Sequence, residues 1–274
     1  GSREPDLRVR GPGTRVMPPI LSYHKIDTRF ELGFTQLEPR VFRRQVETLA
    51  RLGFRSLGSD ALLRCVAQGT TPHSPSLVIT FDAGYSSLAQ HAFPVLADHG
   101  FTALVFVITD FVGGENSWDV QYGWRRFRHL SWDDLGRWQE RGIEVHSHTA
   151  THPRLTWLSD QAVADELGRS RETIASRLGR APAGLSYPFG VADVRVRRLA
   201  VEAGYTLGFR GPNGADGDPL MLERWPVYAW DRFAVPVVIS DSALGSVGRG
   251  LARFTNRCAV GTAVIQRALG RRYR

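Results

Sequence analysis

The stretch IEVHSHTATHP at residues 143–153 places His148 and His152 four residues apart, where an apolar run gives way to a turn. If the chain turns helically after His148, the two imidazoles can face one point. Two neutral imidazoles there suit a divalent transition metal, zinc first and nickel or cobalt after it. The plainer reading is a structural histidine pair. Glu144, His146 and His148 alternate along the preceding run and share one side, so His146 is a supporting group or a substitute ligand. A second stretch, ITFDAGYSS at residues 79–87, carries an apolar run into Asp82. A third, PPILSYH at residues 18–24, ends at His24. A carboxylate and several histidines delivered to one place can move protons and activate water.

The elements that would deliver them alternate along the chain. PRVFRRQVETLARLG has helical spacing, with Phe42, Val46, Leu49 and Leu52 on one face and Gly53 as the stop. SLVITF, TALVFVI, IEVHSH, GLSYPF and TLGFR read as strands. SLAQHAFPVLADHG reads as a helix kinked by Pro94. Ser131 opens a helix running to Gly142 in a capping-box pattern, Ser159 opens one to about Leu178, and VRVRRLAVEAG forms another. Strand–helix units of this length predict a parallel sheet in an α/β fold, and about seven or eight of them favour a barrel. In such barrels, sites collect at the C-terminal strand ends. His24, Asp82, His148 and the turn after Tyr187 all fall there. One long connection, from about residue 110 to 130, carries Trp118, Tyr122 and Trp124. These rings either stack on sugars as a lid or pack the loop onto the barrel.

Composition narrows the classes. The chain has 274 residues, 42% of them hydrophobic. It holds no run of 18 apolar residues, so no transmembrane helix is expected. Two cysteines, Cys65 and Cys258, exclude a disulfide framework. No nucleic-acid-binding module is evident. The net charge of +8 is carried almost wholly by arginine, Lys25 being the only lysine. Residues 241–274 hold seven arginines and one acid. They are expected to form a basic, helical extension over about 244–269 that either is a solvated face or meets an anionic membrane surface or polyanion. Residues 1–16 read as a flexible arm and 17–240 as the barrel. No leader is evident, and Gly1-Ser2 reads as a cleavage scar. A cytoplasmic or membrane-peripheral location is expected, with export open.

TFDAGY, HTATH and SYPFG, in that order and at fitting separations, resemble the first three motifs of the polysaccharide deacetylase family, also called the NodB-homology family or carbohydrate esterase family four. The resemblance runs from about residue 18 to 228. It implies a distorted (β/α)7 barrel and metal-dependent removal of N-acetyl groups from an amino-sugar glycan. It also implies that Asp82 is the catalytic base and that His148 and His152 are metal ligands. In the third motif, Tyr187, Pro188 and Phe189 shape the substrate site, and the Phe189 N–H helps hold the oxyanion. Arg224 in LERWPVY resembles a groove-lining arginine that pairs with an active-site carboxylate. Trp225 and Trp118 are expected to touch substrate.

Three departures stand out. Ser186 replaces the third motif's leading arginine, and no histidine follows His152. The second departure is met by the branch resembling poly-N-acetylglucosamine deacetylases, where the acid comes from the first strand; His24 matches it. The third is Ala83, where the family places a second, metal-ligating aspartate. A deliberate knockout, a glycan-binding relative without chemistry and a working site rebuilt around water, Asp82 or His146 each account for it. Reduced activity is expected of the chain as written, with the non-catalytic binding protein as the alternative.

Overall fold

The apolar runs form strands buried on both faces, as parallel strands are. A computed structural model describes residues 17–29, 36–69, 75–117, 126–212 and 217–227. The chain opens with β1 (Ile20–Tyr23), β2 (Lys25–Ile26) and β3 (Gln36–Leu37), followed by α1 (Pro39–Arg51), β4 (Arg55–Ser56) and α2 (Ser59–Gln68). Next come β5 (Ser76–Ala83), α3 (Ser87–His91), α4 (Phe93–Asp98) and β6 (Ala103–Val107), then α5 (Trp132–Gln139) and β7 (Ile143–Ser147). The last described elements are α6 (Asp160–Leu178), β8 (Gly184–Ser186), α7 (Val194–Glu202), β9 (Leu207–Arg210), β10 (Leu222–Glu223) and β11 (Trp225–Pro226).

The main sheet runs β10-β9-β8-β7-β6-β5-β1-β11, every pairing parallel. Its two edge strands are almost one strand. Leu222 pairs with Phe209 on one side and Trp225 with Leu21 on the other, so the segment 222–226 is hydrogen-bonded to both ends of the sheet. That segment closes the barrel as its seventh stave, and Arg224 sits at the junction. The fold is the (β/α) barrel that the strand–helix alternation favours and the family resemblance implies.

Alternation then sorts the side chains. Leu21, Ile79, Phe81, Val105 and Val145 face outward and pack under α1, α4 and α5. Ile20, Val78, Leu104, Phe106, Leu207, Phe209 and Leu222 fill the interior together with Leu62, Cys65 and Val66 of α2. Helix α2, which the sequence reading did not anticipate, therefore contributes to the packing of the barrel interior. Above this apolar filling the same inward positions turn polar: Thr80 and Asp82 on β5, Ser186 on β8.

Local signals explain the helix ends. Pro39 starts α1, whose buried face is Phe42, Gln45, Val46 and Leu49. Leu52, expected on that face, lies past the helix end and is exposed. Pro94 stands in the first turn of α4, and α3 and α4 part at Ala92. Ser131 and Asp134 form a reciprocal capping box on α5, and Ser159 caps α6. The arm 1–16, the lid rings Trp118, Tyr122 and Trp124, the basic segment 241–274 and Cys258 lie outside the described residues.

Candidate active site

Asp82 is the penultimate residue of β5, with its carboxylate inside the barrel. The Arg224 guanidinium meets it in a two-point fork, 2.7 Å to each oxygen, and both side chains are buried. Arg224 also donates to Thr80 Oγ1 at 3.3 Å and to Ser186 Oγ at 2.8 Å, and its guanidinium lies over the rings of Phe106 and Phe209. The small hydroxyl at position 186 thus accepts an N–H from a guanidinium supplied by the closing segment. Burial alone would raise the Asp82 pKa; the Arg224 charge, helped by His148 and His24, holds it well below the usual carboxylate value.

His24 follows β1, and its Nε2 lies 3.9 Å from Asp82 Oδ2. Burial lowers its pKa to about 4, against the opposing pull of Asp82. It is neutral at pH 7, beside a fixed negative charge that favours its protonated form when a proton arrives.

His148 and His152 come together as the spacing predicts, with ring centroids 4.6 Å apart, edge to face. His148 Nδ1 is 2.8 Å from the Ser186 carbonyl oxygen, so it donates there and leaves Nε2 as the donor atom for a ligand. Burial lowers the pKa of both imidazoles, so both are neutral. The loop that carries them is strained: Thr149 and His152 have φ of 68° and 65°. Left-handed conformations in such residues cost about 1–3 kcal/mol each and persist only where the surroundings over-determine them. Here Thr149 N–H donates to Ser147 Oγ, His152 N–H to Thr149 Oγ1, and Ala150 N–H and Thr151 N–H both to Glu166 on α6.

The turn after β8 carries a third strained residue, Phe189, at φ 60°. Its hydrogen bonds run from Gly190 N–H to the Tyr187 carbonyl and from Val191 N–H to the Pro188 carbonyl. Neither uses the Phe189 N–H, the expected oxyanion donor. The Phe189 ring packs 4.9 Å from that of His152.

Two expectations need correction. His146 is not a substitute ligand: Gly184 N–H donates to its Nδ1 at 3.2 Å, and its Nε2 faces Glu144 Oε2 at 3.2 Å. It lies against Phe106 in the apolar filling, one layer below the site. Glu144 in turn accepts from Ser59 N–H at the start of α2. Tyr187 does not face substrate either; its ring is fully buried and its hydroxyl donates to the Leu220 carbonyl at 2.9 Å. Pro188 is buried as well, and Trp225 is half-buried beside the closing seam. Trp118 lies outside the described residues.

Ala83 has φ 67°, and its methyl packs with Tyr85, Ile108 and Phe127. Its carbonyl is 2.6 Å from His129 Nδ1, and the Tyr85 ring stacks on His129. The Lys25 ammonium lies 4.0 Å from the Phe127 ring centroid and 4.9 Å from that of Tyr85. A catalytic zinc centre uses three protein ligands. Here His148 and His152 supply two, position 83 supplies none, and both Asp82 oxygens are held by Arg224. Among the described residues no three His, Cys, Asp or Glu side chains stand close enough to hold one metal ion. The donor set does not fit a complete three-ligand centre.

The sequence reading missed His129, Lys25 and Glu166. None sits in a recognisable motif; the arm that pairs residues 113–116 with 127–130 brings His129 to the site from far along the chain.

A family model described as polysaccharide deacetylase matches residues 69–208. The chain is 28% identical over 229 residues to YxkH of Bacillus subtilis (strain 168), whose name places it in the same family; the match covers 83% of this chain and 75% of YxkH. Among solved structures it is similar to the Streptococcus pyogenes deacetylase PplD in complex with acetate, at TM-score 0.69 and 22% identity, covering 78% of this chain and 93% of that one. IcaB from Ammonifex degensii matches at TM-score 0.66 and 20% identity, over 84% of this chain and 94% of that one.

Proposed function

The chain belongs to the polysaccharide deacetylase family, and from that premise we propose that it removes N-acetyl groups from an amino-sugar glycan. The observation that carries this reading is the grouping of Asp82, Arg224 and His24 at the mouth of the barrel, beside two neutral imidazoles. Arg224 keeps Asp82 ionised and fixes its orientation. Asp82 accepts a proton from the attacking water as that oxygen bonds to the acetamide carbon. With a guanidinium on both oxygens it is a weak base, so the proton passes readily to His24. His24 then protonates the amine nitrogen as the carbon–nitrogen bond breaks. The Phe189 N–H, presented by its strained turn, donates to the oxyanion; such a contact is worth about 3–4 kcal/mol.

In this family a divalent ion supplies electrophilic assistance. The two imidazoles of this chain alone bind one weakly, so zinc titration is expected to show low affinity for the chain as it stands and at least tenfold tighter binding for Ala83→Asp. The decisive assay is acetate release from an N-acetylglucosamine oligomer. Release that falls about 10²-fold or more in Asp82→Asn supports the reading. Binding of the oligomer with no acetate released, in either the chain or Ala83→Asp, would make it a glycan-binding member of the family.

A further inference from the structure

We propose that Glu166 is a positioning residue for the imidazole pair, setting His152 and His148 through the loop between them. Glu166 stands on α6, outside every motif that carries the family resemblance. Its Oε2 accepts the N–H groups of Ala150 and Thr151 at 3.0 and 2.9 Å, and its Oε1 accepts the Thr151 hydroxyl at 2.7 Å. One carboxylate therefore fixes two consecutive peptide units midway between the two histidines. Both flanking residues of that tract, Thr149 and His152, are in the left-handed region, where the backbone does not rest without support.

Helix α6 braces the loop at a second point. Ser170, one turn beyond Glu166, lies 2.8 Å from Ser147 Oγ, the atom that accepts the Thr149 N–H, and 3.0 Å from the Tyr205 hydroxyl. Arg169 ties the arrangement to the neighbouring strand end. It contacts Glu166 Oε1 at 3.5 Å and Asp110 Oδ2 at 2.8 Å, and Asp110 N–H donates to the Ala150 carbonyl. The loop is thus held on the acceptors of one helix face. Glu166 supplies three of those bonds, so its loss frees the turn to relax and rotates His152 away from His148.

Substitutions separate position from charge. In Glu166→Gln the amide oxygen can take the two N–H donors and the amide NH2 can donate to the Thr151 hydroxyl, which rotates to accept. The geometry survives without the charge. Glu166→Ala removes all three bonds, and Glu166→Asp is one methylene too short. The first measurement is long-range proton–nitrogen correlation of the histidine side chains in the free protein, which needs no activity. The imidazole signals of His148 and His152 should shift or broaden in Glu166→Ala and Glu166→Asp, hold in Glu166→Gln, and leave His146 unmoved in all three. The second, which alone rests on the deacetylase reading, is acetate release: kcat should fall about 10–100-fold in Glu166→Ala with little change in KM, and be restored in Glu166→Gln. Thr151→Val, which deletes one bond only, gives a smaller shift of the same signals if Glu166→Ala does not fold. Unmoved imidazole signals in folded Glu166→Ala, or a Glu166→Gln variant as impaired as Glu166→Ala, overturns the proposal. A chain that releases no acetate but shows the expected imidazole shifts overturns the deacetylase reading alone.

Discussion

Asp82 and Arg224 are each costly to bury and tolerable only as a pair. Removing one partner of such a pair costs about 3–5 kcal/mol because a charge is left without compensation. Arg224→Met should therefore lower the urea midpoint sharply, and adding Asp82→Asn to it should restore much of the loss. His24→Ala tests a different property: turnover should drop about 10²–10⁴-fold with little change in melting temperature. Ala83 is strained for a residue with a β-carbon, so Ala83→Gly should be neutral to stabilising by up to about 1 kcal/mol in denaturant titration. At this scale the sequence was readable where chemistry and strand ends coincide. Asp82 stands one residue before the end of its strand, and His24 and His148 one residue past the ends of theirs, while the four-residue step to His152 brings the imidazoles together. His146 misled because alternation gives the side of a strand and not the depth. Inside a barrel the inward residues form layers, and only the uppermost meets substrate. Tyr187 misled for a related reason: a motif residue can serve by packing, here with its hydroxyl 2.9 Å from the Leu220 carbonyl, rather than by touching ligand.

The elements place these residues through their ends. The turn Pro188–Gly190 presents the Phe189 N–H only because Gly190 can take φ +66° and lie against Gly211; a β-carbon there would meet Gly211 N at 2.7 Å. Gly190→Ala should therefore destabilise by more than about 1 kcal/mol and reduce acetate release beyond the loss of folded protein. Ser131→Ala, which breaks the capping box of α5, should cost about 1 kcal/mol in thermal unfolding and leave turnover per folded molecule unchanged. Most of the long elements were legible because their apolar periods and stop signals agree. Helix α2 was not: SDALLRCVAQ is short, and its buried face of Leu62, Cys65 and Val66 has no meaning until the barrel it packs into exists. Strands β10 and β11 were illegible as well. Two residues carry no period, and Arg224 between them reads as a break rather than a junction.

Over the whole molecule the buried histidines set the response to acid. The pKa of His129, as of His24, is lowered to about 4 from an unfolded value near 6.5. The unfolded chain therefore binds more protons in this window, and stability is lost as pH falls from about 6.5 toward 4. His129 alone, almost wholly buried, should account for about 2 kcal/mol between pH 7 and pH 5. Asp82, lowered too, adds a further loss below its unfolded pKa near 4. Urea midpoints at pH 7 and pH 5 check the sum, and a rise on acidification would contradict it. The closing stave has a consequence for how such a protein ages and fails. Arg224 reaches Asp82 only when residues 222–226 bridge both sheet edges, so the step that shuts the barrel is also the step that arms its carboxylate. A molecule with an open seam holds an uncompensated charge urging it to shut or come apart. On the proposed deacetylase reading, acetate release certifies completed assembly: through a denaturant series, it and the fluorescence of Trp225 in the seam should vanish along one curve.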